Sequence, residues 1–117
     1  MKAEELQIGD WVKLCNKKGE WLDNSQVNLN LLNRQAEDIV VFEPIPITHE
    51  ILKENGFKKK DVFDGWVHYE SFPLIDFVLH EDEKGYYIDL MDARIKYIHQ
   101  LQQAMRLCGI NKEITLN

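Results

Sequence analysis

One stretch of the sequence reads Glu43-Pro44-Ile45-Pro46-Ile47-Thr48-His49-Glu50-Ile51-Leu52-Lys53-Glu54-Asn55-Gly56-Phe57. Pro44 and Pro46 predict an extended approach, because proline fixes its own φ and disfavours the helical region for the preceding residue. Thr48 is then the expected N-cap, since its hydroxyl can accept a backbone N–H that the first turn leaves unpaired. Gly56 suits the left-handed position after the last turn. The stretch therefore predicts a short helix over residues 48–55.

An apolar stripe near the end of the chain predicts a second helix. At about 100° per residue the stripe consists of Ile98, Leu101, Ala104, Met105 and Cys108. A helix beginning at Arg94 would place a charge within this stripe, so we expect the helix over residues 98–108, ended by Gly109. The polar side chains away from the stripe, which we expect on the surface, are Gln100, Gln102, Gln103 and Arg106.

The residues before the first helix favour β-structure. Apolar and polar residues alternate over 6–14 and again over 26–32, and residues 39–42 form an apolar run typical of a more buried strand. No firm assignment covers 23–38 as a whole. The opening is similar to the first strand pair of small SH3-like barrels.

After the first helix the pattern predicts antiparallel strands, at Trp66–Glu70, Leu74–His80, Tyr86–Met91 and Arg94–Tyr97. Alternation within Leu74–His80 gives one apolar face, and pairing Phe77 with Leu90 and Leu79 with Ile88 would continue that face on the next strand. The expected fold is a single α+β domain over residues 1–117, in which antiparallel sheets are braced by two short helices.

Composition limits the classes of function. The 117 residues carry 20 acidic and 14 basic side chains, a net charge of −6. This charge disfavours direct binding to nucleic acid or to anionic membranes, because both depend mainly on Lys and Arg. Cys15 and Cys108 form no CxxC pair, and the first residues lack an apolar leader, so we expect a cytoplasmic protein.

Motifs of known catalytic chemistry are incomplete. The sequence His49-Glu50-Ile51-Leu52 begins like a zinc-protease HExxH, but Lys53 stands where the second histidine is needed. The glycines form no phosphate-binding loop, and we expect no cofactor. Trp11, Trp21 and Trp66 are expected to pack in or beside the core rather than to stack on single-stranded nucleic acid.

A polar cluster on the predicted strands leaves two interpretations open. His68 and Glu70 share one strand face, as do Asp76 and His80, and a tight turn after Glu70 would set His68 opposite Asp76 with Asp89 nearby. Histidines and carboxylates on neighbouring strands can bind a divalent metal (candidates His68, Asp76, His80 and Asp89) or act as acid and base (candidates His68, Glu70, Asp76 and His80). The alternative is an ordinary solvated face with cross-strand ion pairs.

Acidic side chains are concentrated in residues 61–92, which hold nine acids and one base, Lys84. The five proposed for interaction are Glu81, Asp82, Glu83, Asp89 and Asp92. Such a surface could attract a partner protein with a basic surface or imitate nucleic-acid phosphates. The alternative is a solvated hairpin whose charges keep sheet edges from pairing with other molecules.

Three segments carry a family resemblance: Leu6-Gln7-Ile8-Gly9-Asp10-Trp11-Val12, then residues 43–52 with Gly56-Phe57, and Lys96-Tyr97-Ile98-His99-Gln100-Leu101-Gln102. In this order they resemble a family of small uncharacterised proteins from gut anaerobic bacteria, often found in phage-like or mobile genomic regions. The resemblance implies a small non-secreted protein and carries no activity. The sequence thus favours a non-catalytic accessory or interaction role, with the metal or acid–base enzyme and the acidic mimic as alternatives.

Overall fold

The computed structural model describes residues 5–37, 39–63, 66–71, 74–110 and 113–116, and the side chains of all of these except 60–63, 66–68, 70–71, 74–77 and 90. The chain divides into two compact units. The N-terminal unit comprises Met1–Pro46 with Tyr97–Asn117, and the central unit comprises Ile47–Lys96. Both combine antiparallel strands with helix, so the predicted α+β class is confirmed.

The N-terminal unit contains a three-stranded antiparallel sheet and two helices. Its strands are β1 (Trp11–Cys15), β2 (Trp21–Gln26) and β3 (Val41–Glu43), in the order β2-β1-β3. Its helices are α1 (Leu29–Ala36) and α3 (Ile98–Leu107). The prediction of an SH3-like barrel is not confirmed by the part of this unit that the structure describes.

One face of the three-stranded sheet belongs to the core of the unit. Val12 and Leu14 alternate along β1, and they cluster with Val27, Val40 and Phe42. Phe42 is fully buried and pairs directly with Leu14 across the sheet. Because side chains alternate along a strand, Lys13 and Cys15 project from the opposite face.

Helix α1 overlaps residues 26–32, for which the alternating pattern favoured a strand. Asn28 is its N-cap, with Oδ1 accepting a hydrogen bond from the Leu31 N–H at 2.9 Å. Leu31 and Leu32 pack against the core cluster. A short run of leucines and asparagines fits the period of a strand as well as that of a helix. The Asn28 cap favours the helix.

The central unit contains helix α2 (His49–Glu54) and a five-stranded antiparallel sheet. The strands follow chain order: β4 (Phe57–Phe63), β5 (Trp66–Ser71), β6 (Leu74–Asp82), β7 (Gly85–Ile88) and β8 (Ala93–Ile95). A 3-10 turn at Asp89–Met91 joins the last two strands. Strand β4, which includes three consecutive lysines, was not predicted.

Both predicted helices are confirmed together with their end signals. Thr48 Oγ1 accepts from the Ile51 N–H at 3.2 Å, and Gly56 has φ +87° after the last turn of α2. Helix α3 begins at Ile98 as predicted, and Gly109 follows its end with φ +76°. The Ile110 N–H donates to the Met105 carbonyl at 2.9 Å, which is the longer hydrogen bond of a Schellman motif.

The predicted pairing of the central strands is correct in one place and wrong in another. Leu79 pairs with Ile88, as predicted. The pair of Phe77 with Leu90 does not form, because β7 ends at Ile88 and Leu90 lies in the 3-10 turn. Alternation along a sequence predicts the face of a side chain, but it does not show where the chain leaves the sheet.

A buried polar network links the start of β1 to α3. The Asp10 carboxylate is fully buried and accepts hydrogen bonds from Arg106 Nη1 at 2.5 Å, Gln103 Nε2 at 2.7 Å and the Gln7 N–H at 2.8 Å. Gln102, also buried, accepts from the Trp11 N–H at 2.8 Å. The prediction that Gln102, Gln103 and Arg106 are ordinary surface residues is therefore wrong.

His99 lies close to this network, and only 5% of its surface is exposed. Its ring stacks on Tyr97, with centroids 5.9 Å apart and an interplanar angle of 9°. Within the part of the chain that the structure describes, its Nδ1 has no hydrogen-bond partner. Burial lowers the pKa of His99, against the opposing influence of the Asp10 and Glu5 charges.

The lowered pKa of His99 predicts a loss of stability in mild acid. As the pH falls, the unfolded chain takes up a proton near its ordinary pKa of about 6.5, while the folded protein resists protonation. The free energy of unfolding should therefore decrease as the pH falls through 6.5 toward the lower folded pKa. Urea denaturation between pH 7.5 and 5.5 checks this, and His99→Gln should reduce the slope. An identical slope in both proteins would contradict the prediction.

Candidate functional site

The face of the three-stranded sheet opposite the core, here called the outer face, carries two rows of side chains. Cys15 on β1 pairs with Val41 on β3 and with Trp21 on β2, and these three form the apolar row. The polar row lies two residues away along β1 and β3. It consists of Glu43, Lys13 and Asn24. The outer face thus places a short apolar stripe beside a stripe with one carboxylate, one ammonium and one amide.

A β-bulge brings Trp21 into the apolar row. The β1–β2 register shifts between Leu14, which pairs with Asp23, and Cys15, which pairs with Trp21. Regular pairing would have placed Leu22 opposite Cys15. A bulge inserts one extra residue and re-aims the side chains beyond it. It therefore gives the outer face an indole ring at this position.

An open groove lies over the outer face. Its volume is about 530 Å³, and its lining residues are Lys13, Cys15, Gly19, Trp21, Asn24 and Glu43. Trp21 is 61% exposed and Val41 is 40% exposed, so the apolar row is accessible at both ends. The expectation that Trp21 packs in or beside the core is wrong. Trp11, by contrast, is half-buried, and its indole N–H donates to the Ile114 carbonyl at 2.8 Å.

The thiol of Cys15 lies in the lining of this groove and is nearly fully buried. Burial raises the pKa of Cys15, and the Glu43 carboxylate raises it further through its charge and a hydrogen bond. A thiol must ionise to act as a nucleophile or a metal ligand. The chemistry of the groove therefore favours binding over covalent catalysis.

The residues predicted for a metal or acid–base site are only partly brought together. His68 pairs with His80, and Glu70 pairs with Val78, so the predicted pairing of His68 with Asp76 is wrong. The reason is an irregularity at the end of β5, where the register shifts between Glu70 and Ser71. Regular pairing continued from Ser71 and Leu74 would have set His68 opposite Phe77, and the register shift moves its partner to His80.

Other members of that proposed site lie apart from it or outside the described side chains. Asp89 is exposed in the 3-10 turn and not on a strand. The side chains of His68, Glu70 and Asp76 are outside the described residues, whereas His80 is half-buried. Among the residues that the structure describes, no group of three His, Cys, Asp or Glu side chains could hold a metal ion.

Three of the five acidic residues proposed for interaction already have partners within the central unit. Asp82 binds Arg94 through two hydrogen bonds of 2.9 and 2.7 Å, and this guanidinium lowers the pKa of Asp82 to about 2. Asp92 accepts a hydrogen bond from the Tyr87 hydroxyl. Glu81 interacts with Tyr86, because burial first and the Glu81 carboxylate second raise the pKa of Tyr86.

The remaining two acidic residues, Glu83 and Asp89, are exposed. The acidic surface available to a partner is therefore smaller than the charge count of residues 61–92 predicted. Local hydrogen bonds explain the difference, because a count of charges does not show which carboxylates are already paired.

Comparisons of the chain with protein-family models, with curated proteins and with solved structures found no match. The resemblance to small proteins of gut anaerobes stays a prediction. None of the helices in the described residues has the length and apolar character that a membrane crossing requires.

Proposed function

We propose that this protein is a non-catalytic protein-interaction module and that its partner binds on the outer face. The exposure of Trp21 beside the open groove is the observation that carries this proposal. Tryptophan is enriched among the residues that contribute most to binding at protein interfaces. A large aromatic side chain left in water next to a concave, partly apolar surface is typical of such an anchor position.

Other exposed apolar residues give less support. The described residues of the N-terminal unit include seven large apolar side chains that are well exposed: Ile8, Trp21, Leu22, Leu29, Ile39, Val41 and Leu107. Single exposed apolar residues are normal on protein surfaces. Trp21 and Val41 differ from the other five because they stand at the two ends of one cross-strand row.

The size of the outer face favours a short segment as the occupant. Three strands of five, six and three residues, spaced about 4.8 Å apart with about 3.4 Å per residue, offer an area of about 230 Å². Stable interfaces between folded proteins bury about 800 Å² on each partner. A groove of about 530 Å³ falls within the range of sites for small ligands and short peptides. The proposed partner is therefore an extended peptide segment of another protein.

Charge favours a basic partner. The exposed Glu43 carboxylate lies at the edge of the outer face, and such a charge attracts cationic segments. Two alternatives remain hypotheses. One is an enzyme with the candidate residues His68, Glu70, Asp76 and His80, and the other is the acidic mimic. No contact among the described side chains favours either of them over the interaction role.

The substitution Trp21→Ala tests the proposal. We expect peptides selected on the wild-type protein from a random decapeptide library to bind the variant at least about 30-fold more weakly, which corresponds to the loss of about 2 kcal/mol at an interface anchor. Isothermal titration calorimetry measures the affinities. Leu107→Ala is the matched control, because Leu107 is 77% exposed at the end of α3 and outside the groove.

The control variant should bind the selected peptides with wild-type affinity. If Trp21→Ala retains full affinity, or if Leu107→Ala weakens binding equally, the outer face is not the binding surface. Circular dichroism confirms that each variant is folded, and Trp21 is suited to this test because most of its side chain already lies in solvent.

A further inference from the structure

We infer that the outer face recognises an extended segment in which an apolar residue and a lysine or arginine stand two positions apart. This inference rests on the proposed function, since it specifies the partner of the same surface. It follows from the spacing of the apolar and polar rows and from the position of Glu43 at one end of the polar row.

The two rows match the repeat of an extended chain. Cys15 and Lys13 are two residues apart on β1, as are Val41 and Glu43 on β3. Two residues of a strand span about 6.8 Å, and residues i and i+2 of an extended ligand project on the same side with the same spacing. A segment lying along β1 can therefore place one residue over the apolar row and a residue two positions before or after it over the polar row.

The polar row is better suited to a cation than to an anion. Glu43 is exposed at the end of the row, whereas Lys13 is half-buried in the middle strand. The Glu43 carboxylate lies close enough to the Cys15 thiol to raise its pKa, and a carboxylate has capacity for about four hydrogen bonds. An incoming ammonium or guanidinium can thus pair with Glu43 at the exposed edge, and the Lys13 ammonium can donate to main-chain carbonyls of the ligand.

The inference also explains how this surface distinguishes ligands. The apolar row alone would accept any large apolar side chain, because hydrophobic contact is not directional. A charged residue two positions away adds a preference for one register and one sign of charge. An exposed ion pair of this kind changes affinity by a factor of about three to five.

Selection from a displayed random decapeptide library tests the inference. We expect the wild-type protein to enrich peptides in which an apolar residue and Lys or Arg stand two positions apart, in either order. Glu43→Gln should keep the apolar preference and lose the basic one, and Glu43→Lys should favour Asp or Glu at that position. The control Glu83→Gln removes an exposed carboxylate of the central unit and should select the wild-type motif.

The outcomes separate this inference from the proposed function. Two results would overturn the inference and leave the proposed function intact. In the first, the peptides require Trp21 but show no preference for Lys or Arg two positions from the apolar residue. In the second, Glu43→Gln selects the same basic residue as the wild-type protein. Peptides that bind Trp21→Ala with full affinity would overturn both. For the selected peptides, calorimetry should give an affinity about threefold lower with Glu43→Gln than with the wild-type protein.

Discussion

Replacing Asp10 with alanine is expected to lower the free energy of unfolding by about 3 kcal/mol. Asp10 is fully buried and is the shared acceptor for Arg106, Gln103 and the Gln7 N–H. Its removal takes one acceptor from the Arg106 guanidinium, one from the Gln103 amide and one from the Gln7 N–H. We expect the lower end of the range for broken buried ion pairs, because Arg106 is 24% exposed and also pairs with Glu113 at 3.2 Å.

Urea denaturation followed by tryptophan fluorescence measures this effect. Glu37→Ala is the control, because Glu37 is exposed at the end of α1, and its removal should change stability by less than about 0.5 kcal/mol. The stability cost of Asp10→Asn should lie between the costs of Asp10→Ala and Glu37→Ala, since the amide keeps an acceptor oxygen but loses the charge. A cost below about 1 kcal/mol for Asp10→Ala would show that the network does not stabilise the fold.

Replacing Phe42 with alanine is expected to cost about 3–5 kcal/mol, the usual range for truncating a fully buried phenylalanine. Phe42 has no exposed surface and lies in the core cluster with Val12 and Leu14. The adjacent residue Val41 is the matched control, because it projects from the outer face and is 40% exposed. Val41→Ala should cost less than about 1 kcal/mol.

The pair of variants tests the orientation of β3, on which the proposed binding surface depends. Equal costs for Phe42→Ala and Val41→Ala, measured by the same urea denaturation, would show that Val41 is not on an exposed face. A large difference, with Phe42→Ala the more destabilising, supports the assignment of Val41 and Glu43 to the outer face.

The signals that predicted α2 and α3 are local, and for that reason the sequence was sufficient for them. The Thr48 cap, the glycines after each helix and the apolar stripe of α3 act within a few residues of one another. The same applies to the apolar face of β6, where the pairing of Leu79 with Ile88 follows from alternation. Such patterns are independent of the rest of the chain.

The candidate site could not be predicted in the same way. Trp21 joins Cys15 and Val41 only because a bulge shifts the β1–β2 register and because β3, fifteen residues after β2, pairs with the other side of β1. The predicted pairing of His68 with Asp76 failed for a related reason, since an irregularity at Ser71 changes the register. Cross-strand neighbours depend on register, and a shift of one residue moves a side chain to the other face.

The sequence by itself determined the α+β class, the limits of α2 and α3 and the acidic character of the chain, because these follow from local periodicity, caps and charge. Tertiary structure alone decided that Gln102, Gln103 and Arg106 serve the buried Asp10, and that Trp21 is exposed over a groove. The physical reason is distance along the chain. Asp10 and Arg106 are nearly a hundred positions apart, and the groove combines residues of three strands, so neither feature leaves a periodic signal in a single segment.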